Sequence, residues 1–171
     1  MSFELRTERL LLREFVPDDA AALYRLRSDP EIMRWTGEEP ASSVEAVRAD
    51  IEAYPDYREH GFGRWAVEFE GGVVGFCGLK LLPERASVDI GYRFFPEHWG
   101  KGLATESGAA CLRAGFERFG LERIEALVLP PNLGSIRVAE KLGMKRGADE
   151  VAYGLEVVVY EALKRDFPPN S

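Results

Sequence analysis

The residues most suited to chemistry lie between Ile90 and Glu106, in the run IGYRFFPEHWGKGLATE. A strand-like segment ends at Phe95, a proline-started turn follows, and Gly100-Lys101-Gly102 leads straight into a helical pattern. Two glycines at such a junction let a ligand approach the main chain closely. The first-turn N–H groups of the helix have no partner within it, and its positive dipole end favours anions. The arrangement suits a phosphate or pyrophosphate, with Lys101 adding charge at the mouth. A Walker A loop is excluded, because Lys101 precedes Gly102 and no Ser or Thr follows it. A dinucleotide fingerprint fails at Thr105, where Gly or Ala is required. On local chemistry alone, a tight strand-to-helix connection without a ligand remains the equal alternative.

Other chemistries find few residues. His60 and His98 are the only histidines, and Cys77 and Cys111 the only cysteines, without CxxC spacing. No zinc set and no GxSxG nucleophile motif can be assembled from them, so a metal site is not expected. The two cysteines read as buried reduced thiols. Twenty-two Lys and Arg against 29 Asp and Glu leave a net charge of −7, which argues against a nucleic-acid partner. No stretch approaches the ~18 apolar residues that span a membrane, and the first residues lack a signal-peptide core. A cytoplasmic protein is the expectation.

The elements that position the loop follow from hydropathic periodicity. Leu5 to Phe15 reads as one strand; a short helix carrying Leu23 and Leu26 is stopped by Asp29-Pro30. A second helix starts at Ser42, where Ser42-Ser43-Val44-Glu45 fits a capping box. Arg64–Phe69, Val73–Leu81 and Ser87–Phe95 form an antiparallel meander turned at Glu70-Gly71-Gly72. Leu103–Phe119 is a helix ended by Gly120, Arg123–Leu129 a strand, and Leu133–Leu142 a helix closed by Gly143. A short strand after Met144 and a Val-rich strand over Leu155–Leu163 complete an α/β chain. The pattern predicts one domain over residues 1–171, with a mixed, largely antiparallel sheet and helices on both faces.

Three ordered motifs resemble the GCN5-related N-acetyltransferases (GNAT), in the branch of RimJ/RimL-type ribosomal-protein N-terminal acetyltransferases. They are Thr7-Glu8-Arg9-Leu10-Leu11-Leu12-Arg13; Ile90-Gly91-Tyr92 with Pro96-Glu97-His98-Trp99-Gly100-Lys101-Gly102-Leu103-Ala104-Thr105-Glu106; and Asn132 to Met144, NLGSIRVAEKLGM. The resemblance implies the GNAT fold with splayed central strands, and acetyl-CoA as cosubstrate. Phosphates would rest on the amides from Gly100 through Lys101, Gly102, Leu103 and Ala104 to Thr105. Trp99 stands where the family motif has Gln or Arg, so one polar phosphate contact is missing. Pantetheine would pair with the strand end at Phe94 and Phe95, and Asn132 would hydrogen-bond the pantetheine arm.

For the chemistry, many relatives place a Tyr where this chain has Ala139. Ser135 becomes the candidate to protonate or hydrogen-bond the departing thiolate, against a plain role near a helix start. A backbone N–H near Phe94 would serve the oxyanion. Asp89 is the candidate base, acting through water, against an exposed strand carboxylate; Glu38, Glu39, Asp149 and Glu150 are loop alternatives. His98 falls at the phosphate end. Trp35, Glu38, Tyr54 and Trp65, with Met33 and Tyr57, would wall the acceptor entrance, against a reading of the aromatics as core. The acceptor is an amine: a peptide N-terminus, a polyamine, an amino sugar or an amino acid. A homodimer is an expectation from related proteins, with Val157-Val158-Val159 either at an edge or inside the sheet. The competing reading is a non-catalytic acyl-CoA-binding sensor or complex subunit.

Overall fold

The computed structural model describes residues 2–169. Eight strands form one sheet: β1 (Glu4–Arg6), β2 (Leu10–Arg13), β3 (Arg64–Phe69), β4 (Gly72–Leu82), β5 (Ser87–Phe94), β6 (Arg123–Val128), β7 (Lys145–Ala152) and β8 (Leu155–Leu163). Their spatial order is β1-β2-β3-β4-β5-β6-β8-β7, and every pair is antiparallel except β5 and β6. Among the described residues six α-helices accompany it: α1 (Ala20–Leu26), α2 (Pro30–Met33), α3 (Val44–Ala53), α4 (Asp56–His60), α5 (Leu103–Glu117) and α6 (Leu133–Lys141).

Side chains alternate across each strand, so each sheet face acquires its own core. Trp65, Val67, Ile90 and Phe94 join Leu103, Cys111, Leu112 and Phe116 of α5 and Ala139 of α6 on one side. Phe95, with Phe76 packed against it, joins Leu23, Leu26, Ile32 and Val47 on the side of α1 to α3. Gly108 and Gly115 let α5 lie close, since a Cβ there would stand 3.0 Å from Leu142 and 2.6 Å from Ile124. The β3–β4 turn has positive φ at both Glu70 and Gly71, and the β7–β8 turn at both Tyr153 and Gly154. Both turns therefore follow the twist that tight hairpins require.

Several elements differ from the expectation. The first strand breaks at Thr7–Arg9, where the Thr7 N–H donates to the Leu10 carbonyl and its hydroxyl accepts from the Leu10 N–H. Asp29-Pro30 starts a helix as well as following one, because the Asp29 carboxylate accepts from the Glu31 N–H. The cap of α3 is Ser43, one residue later than expected, accepting from the Ala46 N–H at 3.0 Å. That frame turns Val47 fully into the core. The strand after Met144 is eight residues long and lies at the sheet edge. Val157-Val158-Val159 therefore lies inside the sheet, between β6 and β7, and all three side chains are buried. Cys77 and Cys111 are free, buried thiols 3.6 Å apart.

The feature that makes a site is a gap. β4 and β5 stay in register to Gly75–Phe94, and β6 and β8 to Val128–Val158. Between them, β5 and β6 share a single registered pair, Asp89–Glu125.

Candidate functional site

Backbone groups of an antiparallel strand point alternately to its two neighbours. The Phe95 N–H donates to Val74 of β4, so the peptide groups of Phe94 and Tyr92 face the other way, toward the gap. The Phe94 carbonyl on that edge accepts the Trp99 indole N–H at 2.9 Å. Phe95, expected beside Phe94 at the cofactor edge, spends its N–H on β4. Its ring is buried in the opposite core, under the Arg25 guanidinium at 4.2 Å from the ring centre.

At the far end of β5, Pro96–His98 forms one turn and the chain passes through Gly100 and Gly102. These have φ of 76° and 77°, in the left-handed region where a side chain is strained. Gly102 caps the 15-residue α5 and no side chain caps that end. A Cβ at Gly100 would meet nothing within 4 Å, and one at Gly102 only the Arg9 guanidinium at 3.5 Å. This is an open cradle lined by unpartnered first-turn amides, and a pyrophosphate fits it. Lys101 is exposed, its ammonium 5.9 Å from the Phe69 ring centre and 3.5 Å from His98 Nδ1.

Asn132 caps α6 on the other side of the gap. Its side-chain oxygen accepts the Ser135 N–H at 3.2 Å, which turns its amide nitrogen toward the Ser135 hydroxyl oxygen at 3.1 Å. The hydroxyl thus has an acceptor lone pair occupied and its own proton free to donate. Tyr92 reaches from β5 to the Ser135 carbonyl at 3.1 Å. Burial raises the Tyr92 hydroxyl well above its ordinary value, so it stays protonated.

On the face toward α1 to α3, charged side chains sit beside the gap in pairs. Asp89 is buried, unlike the exposed strand carboxylate offered as its alternative, because one carboxylate oxygen accepts from Arg64 at 2.8 Å. The Arg64 guanidinium lies over Gly91, where a Cβ would come within 2.6 Å of it. Glu125, fully buried, accepts from Arg85, Arg123 and Ser87. Burial works against its charge, but these donors hold its carboxyl below the ordinary value. Arg93 binds Glu38 at 3.0 Å and lies over the Phe76 ring. It ties the 34–43 loop to β5, and Gly37 of that loop lies against Leu155 of β8.

Of the expected acceptor residues, the structure brings Trp35 and Glu38 to this loop. Tyr54 sits at the start of β3, its hydroxyl accepting from the Arg64 N–H and its ring edge-on to Tyr57. Burial pushes that hydroxyl up to about 12. Trp65 is a core residue, fully buried and stacked on Phe3 at 4.3 Å, because its place on β3 directs it to the α5 side. Asp149 pairs with Arg146 and Glu150 with Arg85, both beside a groove of about 330 Å³ that includes Pro130 and Val157. Periodicity carried no signal for Arg9, Arg64, Arg93 or Glu125, since each acts through a partner distant in sequence.

A family profile described as an acetyltransferase (GNAT) domain matches residues 9–145, and the chain belongs to that family. It is an acyltransferase, and its family uses acetyl-CoA. It is 33% identical over 173 residues to the uncharacterized N-acetyltransferase p20 of Bacillus licheniformis, covering 95% of this chain and 97% of that protein. It is 34% identical to the uncharacterized N-acetyltransferase YoaA of Bacillus subtilis, covering 83% and 82%. The fold is shared with Mycobacterium smegmatis RimJ, solved in complex with CoA-disulfide, at a TM-score of 0.83 and 24% identity over 98% of this chain and 89% of that one. No described helix is long and apolar enough to cross a membrane.

Proposed function

We propose that this chain transfers the acetyl group of acetyl-CoA directly to a primary amine at the gap between β5 and β6. The observation that carries the reading is the single β5–β6 pair at Asp89–Glu125, with the uncapped α5 cradle at one side and the Asn132–Ser135 turn at the other. The amides from Gly100 to Thr105 bind the phosphates, and the gap-facing peptide groups of β5 align the pantetheine as an added strand would. The gap-facing Phe94 N–H is the donor for the thioester oxygen, while the Phe94 carbonyl accepts from Trp99. Ser135 gives its free proton to the departing sulfur, and Asn132 holds that hydroxyl in place.

The amine must lose a proton to attack. The carboxylate oxygen of Asp89 that Arg64 leaves unbonded takes it through water, while the guanidinium holds the other oxygen in place. The acceptor enters from the side of the 34–43 loop, past Trp35 and Glu38. An acceptor that is a peptide amino terminus is the expectation drawn from the RimJ/RimL resemblance, and its likeness to the RimJ fold is consistent with it.

A melting curve with acetyl-CoA, free CoA, NAD and ATP tests the cofactor. Binding at ~100 times Kd raises stability by about 2.7 kcal/mol, and only the two CoA species should do so. CoA release is then followed across peptide amino termini, polyamines, amino sugars and amino acids. Amine-dependent release that falls in Ser135→Ala supports transfer. Binding without turnover over the whole panel would favour the sensor reading instead.

A further inference from the structure

We propose that Arg9 is a phosphate ligand of bound acetyl-CoA, supplying from the β1–β2 turn the side-chain contact that Trp99 withholds from the phosphate loop. The inference rests on the proposed placement of the cofactor phosphates at the α5 cradle. Among the described residues, and apart from the chain neighbours of Gly102, Arg9 supplies the side chain within 4 Å of where a Cβ on Gly102 would stand, its Nη2 at 3.5 Å. Ninety-seven residues separate it from Glu106, yet the two are joined twice. The Arg9 N–H donates to one Glu106 carboxylate oxygen at 2.9 Å, and its Nε to the other at 2.7 Å. Thr7 adds its hydroxyl to the first of these oxygens at 2.6 Å.

These bonds use one edge of the guanidinium. Its two terminal nitrogens make no hydrogen bond among the described residues, and the side chain is 40% exposed. A guanidinium held by its Nε edge presents the remaining fork in a fixed direction, a geometry that matches two phosphate oxygens. Lys101 lies beside Phe69 and His98, so it is a flexible charge at the rim and does not replace that fork. The break at Thr7–Arg9 is what makes the contact available. In an uninterrupted strand the Thr7–Leu10 turn would not form, and that turn holds Thr7 and Arg9 together against Glu106.

Isothermal titration of the full chain with CoA, dephospho-CoA and pantetheine tests the assignment, using wild type, Arg9→Gln and Arg9→Lys. Losing a charge-assisted bidentate contact should weaken CoA binding by about tenfold or more in Arg9→Gln. Arg9→Lys should fall between the two, and pantetheine, which carries no phosphate, should bind all three proteins equally. If Arg9→Gln also stops distinguishing CoA from dephospho-CoA, the contact is to the 3′-phosphate; if the distinction survives, it is to the pyrophosphate. Wild-type affinity for CoA in Arg9→Gln overturns the proposal, as does an equal loss for CoA and pantetheine, which would mark a structural effect. Should Arg9→Gln fail to fold, Arg9→Lys decides: wild-type affinity with an unchanged melting temperature overturns the assignment. A wild-type chain that binds no CoA would overturn the cofactor placement itself, a separate result.

Discussion

The Tyr92 hydroxyl donates to the main-chain carbonyl of Ser135 at 3.1 Å, so a side chain of β5 bridges to the first turn of α6 across the gap. The bond fixes the distance between the two walls that a pantetheine arm would separate. Replacing Tyr92 by Phe keeps the ring in its packing and removes the bond. Stability in urea should fall by about 1 kcal/mol with an unchanged m-value.

Ser135 and Asn132 should separate by readout. Ser135→Ala removes the proton proposed for the sulfur, so kcat with an active amine should drop by roughly a hundredfold or more. Acetyl-CoA affinity and melting temperature should change little. Asn132→Ala removes the cap of α6 and should lower stability by about 1 kcal/mol. Urea melts beside steady-state kinetics distinguish the two, and a Ser135→Ala variant with wild-type kcat would remove Ser135 from the mechanism.

Gly102 combines a φ of 77° with the cradle facing Arg9. Ala at this position should destabilise the chain by about 1–2 kcal/mol from backbone strain alone. A Trp at the same place would also fill the cradle and should abolish the rise in melting temperature produced by acetyl-CoA. A full rise in that variant would place the phosphates elsewhere.

Stability should weaken in acid. Burial disfavours the charged forms of Glu106 and Glu125, but bonds from Thr7 and Arg9 to the first, and from Arg85 and Ser87 to the second, win. Both carboxyls are held below their ordinary value of 4.5. The unfolded chain then binds more protons than the folded one in the acid range. The stabilisation is fully present above the unfolded value and is lost as pH falls through the folded values. Urea midpoints should be flat from about pH 8 to 6 and fall between about pH 5 and 3. Glu125→Gln should flatten part of that fall. It should also lower stability at neutral pH by about 1.5–3 kcal/mol, since the bonds from Arg85, Arg123 and Ser87 lose their charged acceptor.

Cys77 and Cys111 are both inaccessible to solvent. A bulky thiol reagent should label neither in the folded chain and both in urea. Labelling under native conditions at the rate seen in urea would mean that the β4–α5 contact opens readily.

Local chemistry made much of this protein legible in its sequence. The meander from Arg64 to Phe94 follows from two-residue alternation and a Glu-Gly turn, and α5 from its helical period and small residues. The Gly100–Gly102 cradle could be read because glycine types and their distance from a strand end are local properties. Alternation also led to errors where a short polar side chain intervened. Thr7 can satisfy backbone groups by itself, so it broke a strand whose hydropathy ran on, and Asp29 began a helix at a place that looked like a stop.

Tertiary structure alone decided what meets what. The resemblance of Thr7–Arg13 to a family's opening strand carried no hint that Arg9 would lie over Gly102, because that contact closes a loop of some ninety residues. Trp65 had the right type for an acceptor wall, yet its sheet face directed it into the core. Asp89 and Glu125 belong to distant segments, and only the point where β5 leaves β6 sets them side by side. Periodicity records which side of its own element a residue occupies. Which other element covers that side depends on how the sheet is ordered, and that order sets the gap, the paired charges and the exposed fork of Arg9.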